Sequence, residues 1–265
     1  MNGVDTAARI SAAKAKQLAE KGVDFVCRYL VPPEVYDKAV TATEAAALLE
    51  AGLGLLLCWE TSADRVKAGA QAGARDGERA RKCAETLGAP EDTVIYFAVD
   101  YNALAQDYDA IEYYFRSAAM ACAPYGVGVY GSRTVAEMLA GRIPGIRIWQ
   151  CWAWSNGMTE LAHVYQYQSQ YGTEAVALAS EIGFAVDLDT CSDMAAAGVW
   201  LPSAPEPWYA DDMRWAAEHG LIRDGRPNDP LTRAELARVL RRLCEGSEDP
   251  FDKERNRPSG LLSDE

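Results

Sequence analysis

Along residues 1–200, short apolar runs alternate with longer stretches of helical period. The apolar runs read as eight strands: Gly3–Asp5, Asp24–Tyr29 (DFVCRY), Gly54–Glu60 (GLLLCWE), Thr93–Asp100 (TVIYFAVD), Val127–Tyr130, Arg147–Gln150, Val164–Gln168 and Phe184–Leu188. Helical patterns fill 11–21, 43–51, 66–87, 107–122 and 132–139, with a short helix expected around Met194. Glu44 puts an acid in the first turn of the second helix, Gly88 ends the third, and Ser132 can cap the fifth. Strands alternating with helices predict a parallel sheet covered by helices. Eight of them in this order predict an α/β fold closed as a (β/α)8 TIM-type barrel. Strands two to five are near-continuous apolar runs, as strands buried on both faces should be. The later strands are shorter and more polar, so the second half is expected to be less regular.

Beyond the barrel at 1–200, residues 201–207 (LPSAPEP) read as a Pro-rich linker. Residues 208–244 read as a small helical segment. A segment of this length holds little core of its own, so Trp208, Trp215, Leu236 and Leu240 are expected to bury against one another and against the barrel or a second chain. Residues 245–265 carry seven acids against three bases and are expected to be a disordered tail.

The net charge of −13 repels phosphates and anionic lipid surfaces, which argues against nucleic acid as a partner. No apolar run approaches the roughly 20 residues that span a bilayer, so no membrane insertion is expected. The start, MNGVDTAARISAAKAK, lacks an apolar core behind a basic leader, so no secretory signal is expected. That leaves a cytoplasmic location, or release to the cell wall by a non-classical or phage holin-type route. Seven cysteines, an odd number with no C-x-x-C pair, read as small buried hydrophobes in a reducing compartment. Two histidines are too few to suggest a His-rich zinc site or a Ser-His-Asp triad. No metal and no cofactor are expected, and the oligomeric state is left open.

Two local patterns need weighing. Gly126-x-Gly128-x-x-Gly131 matches a dinucleotide-binding spacing, but its glycines lie within a strand and residue 150 is Gln where an acid would be required. It reads as a glycine-bearing barrel strand. Trp149, Trp152 and Trp154 suit either plain core or a surface on which sugar rings stack.

In an α/β barrel the chemistry gathers at the C-terminal ends of the strands. Those ends here carry Asp5, Arg28 with Tyr29, Glu60, Asp100, Tyr130, Trp149 with Gln150, Gln166 with Gln168, and Asp187 with Asp189. Helix capping can account for Asp5 and Asp189 singly. It accounts poorly for Glu60 and Asp100, each of which ends an unbroken apolar strand. Carboxylates crowded together repel unless put to use. Converging acids, aromatics and amides suit glycosidic-bond hydrolysis, and the same oxygens would suit a hard cation.

The motifs GVDTA, DFVCRYL, CWE, IYFAVD, YGVGVYGS, IWQCWAWS, VYQY and FAVDLD, in this order, resemble the glycoside-hydrolase-like barrel domain of bacteria. That family is similar in fold to the family-25 glycoside hydrolases, the lysozyme-type muramidases. The resemblance runs from Gly3 to about Trp200 and implies an acidic site of Asp5, Glu60, Asp100 and Asp187. It further implies sugar contacts from Tyr29, Trp59, Asn102, Tyr130, Trp149, Gln166 and Asp189. In family-25 muramidases the fourth strand ends Asp-x-Glu, and the Glu is the proton donor. Here that place reads Asp100-Tyr101-Asn102, and a carboxamide has no proton to give. Two expectations follow. Either Glu60, beside the Trp59 indole, serves as the acid with Asp100 as the charged partner, or the barrel binds sugar without cutting it.

The C-terminal piece, with Trp208-Tyr209, Ala210-Asp211-Asp212, Trp215-Ala216, His219-Gly220-Leu221-Ile222 and the run Pro227 to Glu235 (PNDPLTRAE), resembles a single S-layer-homology motif. Such motifs bind anionic cell-wall polymers, usually in sets of three. The resemblance implies wall-binding roles for Trp208, Arg233 and Glu235. Together the two resemblances imply a muramidase- or lysin-type hydrolase with cell-wall polysaccharide as its partner.

Overall fold

The computed structural model describes residues 1–32 and 38–203, together with residues 215, 236, 237, 240 and 241. The chain divides into two compact units, Met1–Ala204 and Pro205–Glu265. The first runs β1 (Asn2–Asp5), α1 (Ala12–Glu20), β2 (Phe25–Tyr29), α2 (Ala42–Glu50), β3 (Gly54–Trp59), α3 (Gly69–Leu87), β4 (Val94–Ala98), α4 (Tyr108–Cys122), β5 (Gly126–Gly131), α5 (Arg133–Arg142), β6 (Arg147–Cys151), β7 (Val164–Gln168), α6 (Thr173–Ile182) and β8 (Asp187–Cys191). The strands follow sequence order around a closed barrel. The α/β barrel expected from the alternation of patterns is therefore the fold.

Its second half is irregular in three ways. The chain passes from β6 to β7 through residues 152–163 with no helix. The β7–β8 ladder slips register between Gln166 and Gln168. Most consequentially, β8 runs antiparallel to both β7 and β1, whereas the other neighbours are parallel. The eighth strand also lies later than its apolar run suggested. Val186 and Phe184 pack into the layer between barrel and helices, while the polar sequence DLDTC makes the ladder. The short helix expected around Met194 is only a turn, closed by Ala197 N–H donating to the Asp193 carbonyl.

Helix starts follow local chemistry. Ser11 accepts from Lys14 N–H to cap α1, and Ser132 accepts from Val135 N–H to cap α5. Helix α2 begins one residue before the expected start, with Thr41 accepting from Glu44 N–H. Gly88 ends α3 in the left-handed region, at φ +82°.

Two apolar layers hold the barrel. The outer one lies between strands and helices and includes Leu18, Leu48, Leu55, Leu57, Phe97, Phe115 and Val129. The inner one fills the barrel with Phe25, Leu56, Tyr96, Trp149, Val164 and Cys191. The chain after β8 seals one end. Trp200 and Leu55 exchange backbone hydrogen bonds, Val94 N–H donates to Gly198, and Tyr96 OH donates to the Ala197 carbonyl at 2.7 Å. Gly198 suits that contact because its φ is +68° and a Cβ there would sit 2.1 Å from Val94 Cγ2. This seal lies at the N-terminal ends of β3 and β4, opposite the end that carries Glu60 and Asp100.

Of the seven cysteines, Cys27, Cys58, Cys122, Cys151 and Cys191 are buried free thiols and Cys83 is half-buried. Among the described residues, no helix is long and apolar enough to cross a membrane. The expected linker (after Ser203), the wall-binding residues Trp208, Arg233 and Glu235, and the tail lie outside the described residues. Trp215, Leu236 and Leu240 keep 54%, 47% and 51% of their surface exposed.

Candidate active site

The strand period of two decides what faces the barrel axis. Along β3 the inward residues are Leu56 and Cys58, and the next is Glu60. Along β4 they are Val94, Tyr96 and Ala98, and the next is Asp100. Each strand is apolar within the barrel and delivers an acid just past its end. Asp187 arrives differently. It is the first residue of an antiparallel strand, paired with Asp5, so the reversal of β8 brings the start of that strand to the end where β1 stops.

These residues line one cavity of about 150 Å³, formed by Asp5, Cys27, Arg28, Tyr29, Cys58, Glu60, Ala98, Asp100, Tyr130, Trp149, Gln166 and Asp187. The four acids expected at the site thus share it, as do Tyr29, Tyr130, Trp149 and Gln166. Three other expected sugar contacts do not. Trp59 faces outward, buried in the helix-side layer 6.4 Å from Phe97, because it is one position out of phase with Cys58 and Glu60. Asn102 is exposed on the loop beyond Asp100. Asp189 is buried beneath the cavity, two residues along β8 from Asp187.

Gln166 ties the floor together. Its amide NH2 donates to Asp5 Oδ2 at 2.8 Å and to Asp187 Oδ2 at 3.2 Å, and its carbonyl accepts from Tyr130 OH at 3.0 Å. Below, the Trp149 indole N–H donates to Asp189 Oδ1 at 2.8 Å, and Trp149 stands edge-on to Tyr130. Asp189 Oδ2 is buried and finds a donor only if Asp5 carries a proton. The electrostatics agree. Burial first, then the charges of Asp189 and Asp187, push Asp5 well above the usual carboxylate range. Burial lifts Asp189 to about 7 against the hydrogen bond from Trp149, and it also raises Asp187.

The opposite wall has a different character. Lys38 Nζ lies 3.3 Å from Glu60 Oε2 and 3.6 Å above the centre of the Tyr29 ring. The Lys38 ammonium thus pairs with the Glu60 carboxylate on this wall. Asp100 is raised by burial and next by the charge of Glu60. Lys38 had no signal in the strand pattern, because it precedes α2 in a loop. Its position is fixed by the buried Arg28, whose guanidinium donates to the Lys38 carbonyl at 3.1 Å, to the Thr6 carbonyl, and to Glu44 Oε1 at 2.7 Å. Glu44 lies in the first turn of α2 as expected, and is also the buried partner of Arg28 and accepts from Ile10 N–H at 3.0 Å. Among the described residues, no group of three or more His, Cys, Asp or Glu side chains is arranged to hold a metal ion.

The model of the Rv2525c-like, glycoside hydrolase-like domain matches residues 16–175. The chain belongs to that family. YbfG of Bacillus subtilis (strain 168) is 35% identical over 152 residues, covering 49% of this chain and 20% of YbfG. FadG of the same organism is 31% identical over 106 residues, covering 39% of this chain and 18% of FadG. The chain thus matches about a fifth of the length of these relatives. Among solved structures, the Mycobacterium tuberculosis Tat-secreted protein Rv2525c in complex with L-tartrate superposes with a TM-score of 0.64 at 23% identity, covering 75% of this chain and 98% of that one. A B. stearothermophilus protein superposes with a TM-score of 0.56 at 16% identity, covering 76% and 100%. Both likenesses establish the fold.

Proposed function

We propose that the barrel is a glycosidase of muramidase type that cuts glycan strands of bacterial cell-wall peptidoglycan by carboxylate acid catalysis. One observation carries this reading: two acids share a single cavity and differ in their neighbours. Asp100 is buried beside a negative charge and holds a proton more readily than an ordinary aspartate, while Glu60 is ion-paired with Lys38. Glycoside hydrolysis needs that division between an acid that protonates the leaving oxygen and a carboxylate that meets the oxocarbenium-like charge. Asp100 takes the first role and Glu60 the second, the reverse of what the neighbouring Trp59 suggested from sequence. Asp5, Asp187 and Gln166 bind and orient the sugar from the floor.

The glycoside hydrolase-like family supports the chemistry, and the resemblance of Trp208 to Glu235 to an S-layer-homology motif supports the setting. Trp208, Arg233 and Glu235 would there hold an anionic wall polymer. A second reading, a barrel that binds wall glycan without cutting it, is favoured by Asn102, which stands where family-25 muramidases carry their proton donor. Release of new reducing ends from purified peptidoglycan separates the two. Asp100→Asn and Glu60→Gln should each lower that release by at least about a hundredfold with the fold intact. Wild-type activity in both variants would place the chemistry elsewhere, and binding with no release by the wild type would favour the second reading.

A further inference from the structure

We propose that Trp152 and Trp154, on the turn that follows β6, form a stacking subsite for sugar rings of a glycan extending beyond the acidic cavity. The inference rests on the glycosidase reading above and names a further part of the substrate site. Trp149, on the same strand, lies in the cavity wall. Three residues on, Trp152 N–H donates to the carbonyl of Gln166, whose side chain ties the cavity floor. The turn therefore continues directly from the wall at the cavity end of the barrel. Trp152 and Trp154 each keep 46% of their surface exposed, so neither is core.

The backbone gives the second indication. Ser155 N–H donates to the Trp152 carbonyl, closing a four-residue turn whose third residue, Trp154, has φ +55°. That left-handed region suits glycine, and a bulky side chain there is strained. Its surroundings hold it in place. Ser155 Oγ donates to the Cys151 carbonyl at 2.7 Å and accepts from Arg133 N–H at 2.9 Å, and the Arg133 guanidinium donates to the Asn156 carbonyl at 2.9 Å. A strained turn whose backbone is held by its neighbours presents an exposed indole at a reduced cost in backbone freedom on binding. The run Cys151 to Met158 (CWAWSNGM) carries no charge in a chain that is 25% charged. A neutral pyranose ring, whose C–H face stacks on an indole, suits that surface better than a charged peptide.

Calorimetric titration of the Asp100→Asn protein, which leaves glycan uncut, tests this with peptide-free peptidoglycan strands of two lengths, a disaccharide and an octasaccharide. The octasaccharide should bind more tightly than the disaccharide. Trp154→Gly and Trp152→Ala, each added to that background, should weaken octasaccharide binding about tenfold while leaving the disaccharide within about twofold. Trp154→Gly should also melt at a temperature no lower than its parent, since glycine relaxes the turn, so its loss of affinity cannot be a loss of fold. Unchanged octasaccharide affinity in both variants, or a parent that does not prefer the longer strand, overturns the subsite and leaves the glycosidase reading standing. If neither saccharide binds the parent, the glycosidase reading fails and the subsite with it.

Discussion

Asp5 is buried against two other carboxyls, Asp187 and Asp189, and all three hold protons above the usual carboxylate range. Such groups act on stability in the opposite sense to surface acids. Between an unfolded value near ~3.9 and its raised folded value, each binds more protons folded than unfolded. Their contribution is full at and below about pH 4 and is lost as pH rises; for Asp189 the window closes at about 7. Asp5→Asn should imitate the protonated form. Its carbonyl can accept from Gln166, and its amide can donate to Asp189 Oδ2. We therefore expect urea midpoints that fall less between pH 4 and pH 8 than those of the wild type, with equal or higher stability at pH 8. A steeper fall in the variant would refute the shared-proton description. The carboxylates themselves were legible in the sequence, because strand ends in a barrel converge. Their protonation was not, since it is set first by burial and then by one another, Gln166 and Trp149, which lie up to 161 positions away from Asp5 in the chain.

At the scale of elements, α3 and α4 pack against each other, and two glycines let them approach closely. A Cβ on Gly73 would lie 2.0 Å from the Tyr114 carbonyl oxygen, and one on Gly77 would lie 2.5 Å from that of Ala118. Tyr114 OH and Arg65 both reach the buried Asp76 on the same side, locking the contact. Gly73→Ala gains up to about 1 kcal/mol of helix propensity. It must also move a backbone, which costs about 1–3 kcal/mol, and the clash should win. A lowered melting temperature is expected, and a raised one would show that α4 can shift freely. The Ala-rich period made α3 and its Gly88 end easy to read. The run from Val66 onward nevertheless begins as a separate short 3-10 turn, Arg65–Ala68, which a periodicity of 3.6 does not distinguish. The eighth strand was misplaced for a related reason. Apolar content marked Phe184–Leu188, of which only Asp187 and Leu188 lie in β8, because β8 exposes one face to carboxylate chemistry and is polar where it pairs.

At the scale of the whole molecule, one reversed strand closes the barrel and completes the site. Strand β8 bridges β7 to β1, and Met1 N–H3⁺ donates to the Cys191 carbonyl at 3.0 Å. Ending the chain before Phe184 would leave two open strand edges and remove Asp187 and Asp189. Loss of a cooperative thermal transition is expected by circular dichroism, and a sharp native-like melt would show that β8 is an accessory. Barrel architecture was legible from the alternation of patterns alone. The reversal of β8 was not, because a strand's direction leaves no mark on its period of two. The account's central claim is that Asp100 and Glu60 divide the work of cutting a wall glycan, and a mass-resolved digest of purified peptidoglycan tests it most directly. Wild-type protein should release muropeptides ending in reducing N-acetylmuramic acid, and Asp100→Asn should release at least about a hundredfold less. Equal release by wild type and Asp100→Asn, or no release by the wild type, would contradict it.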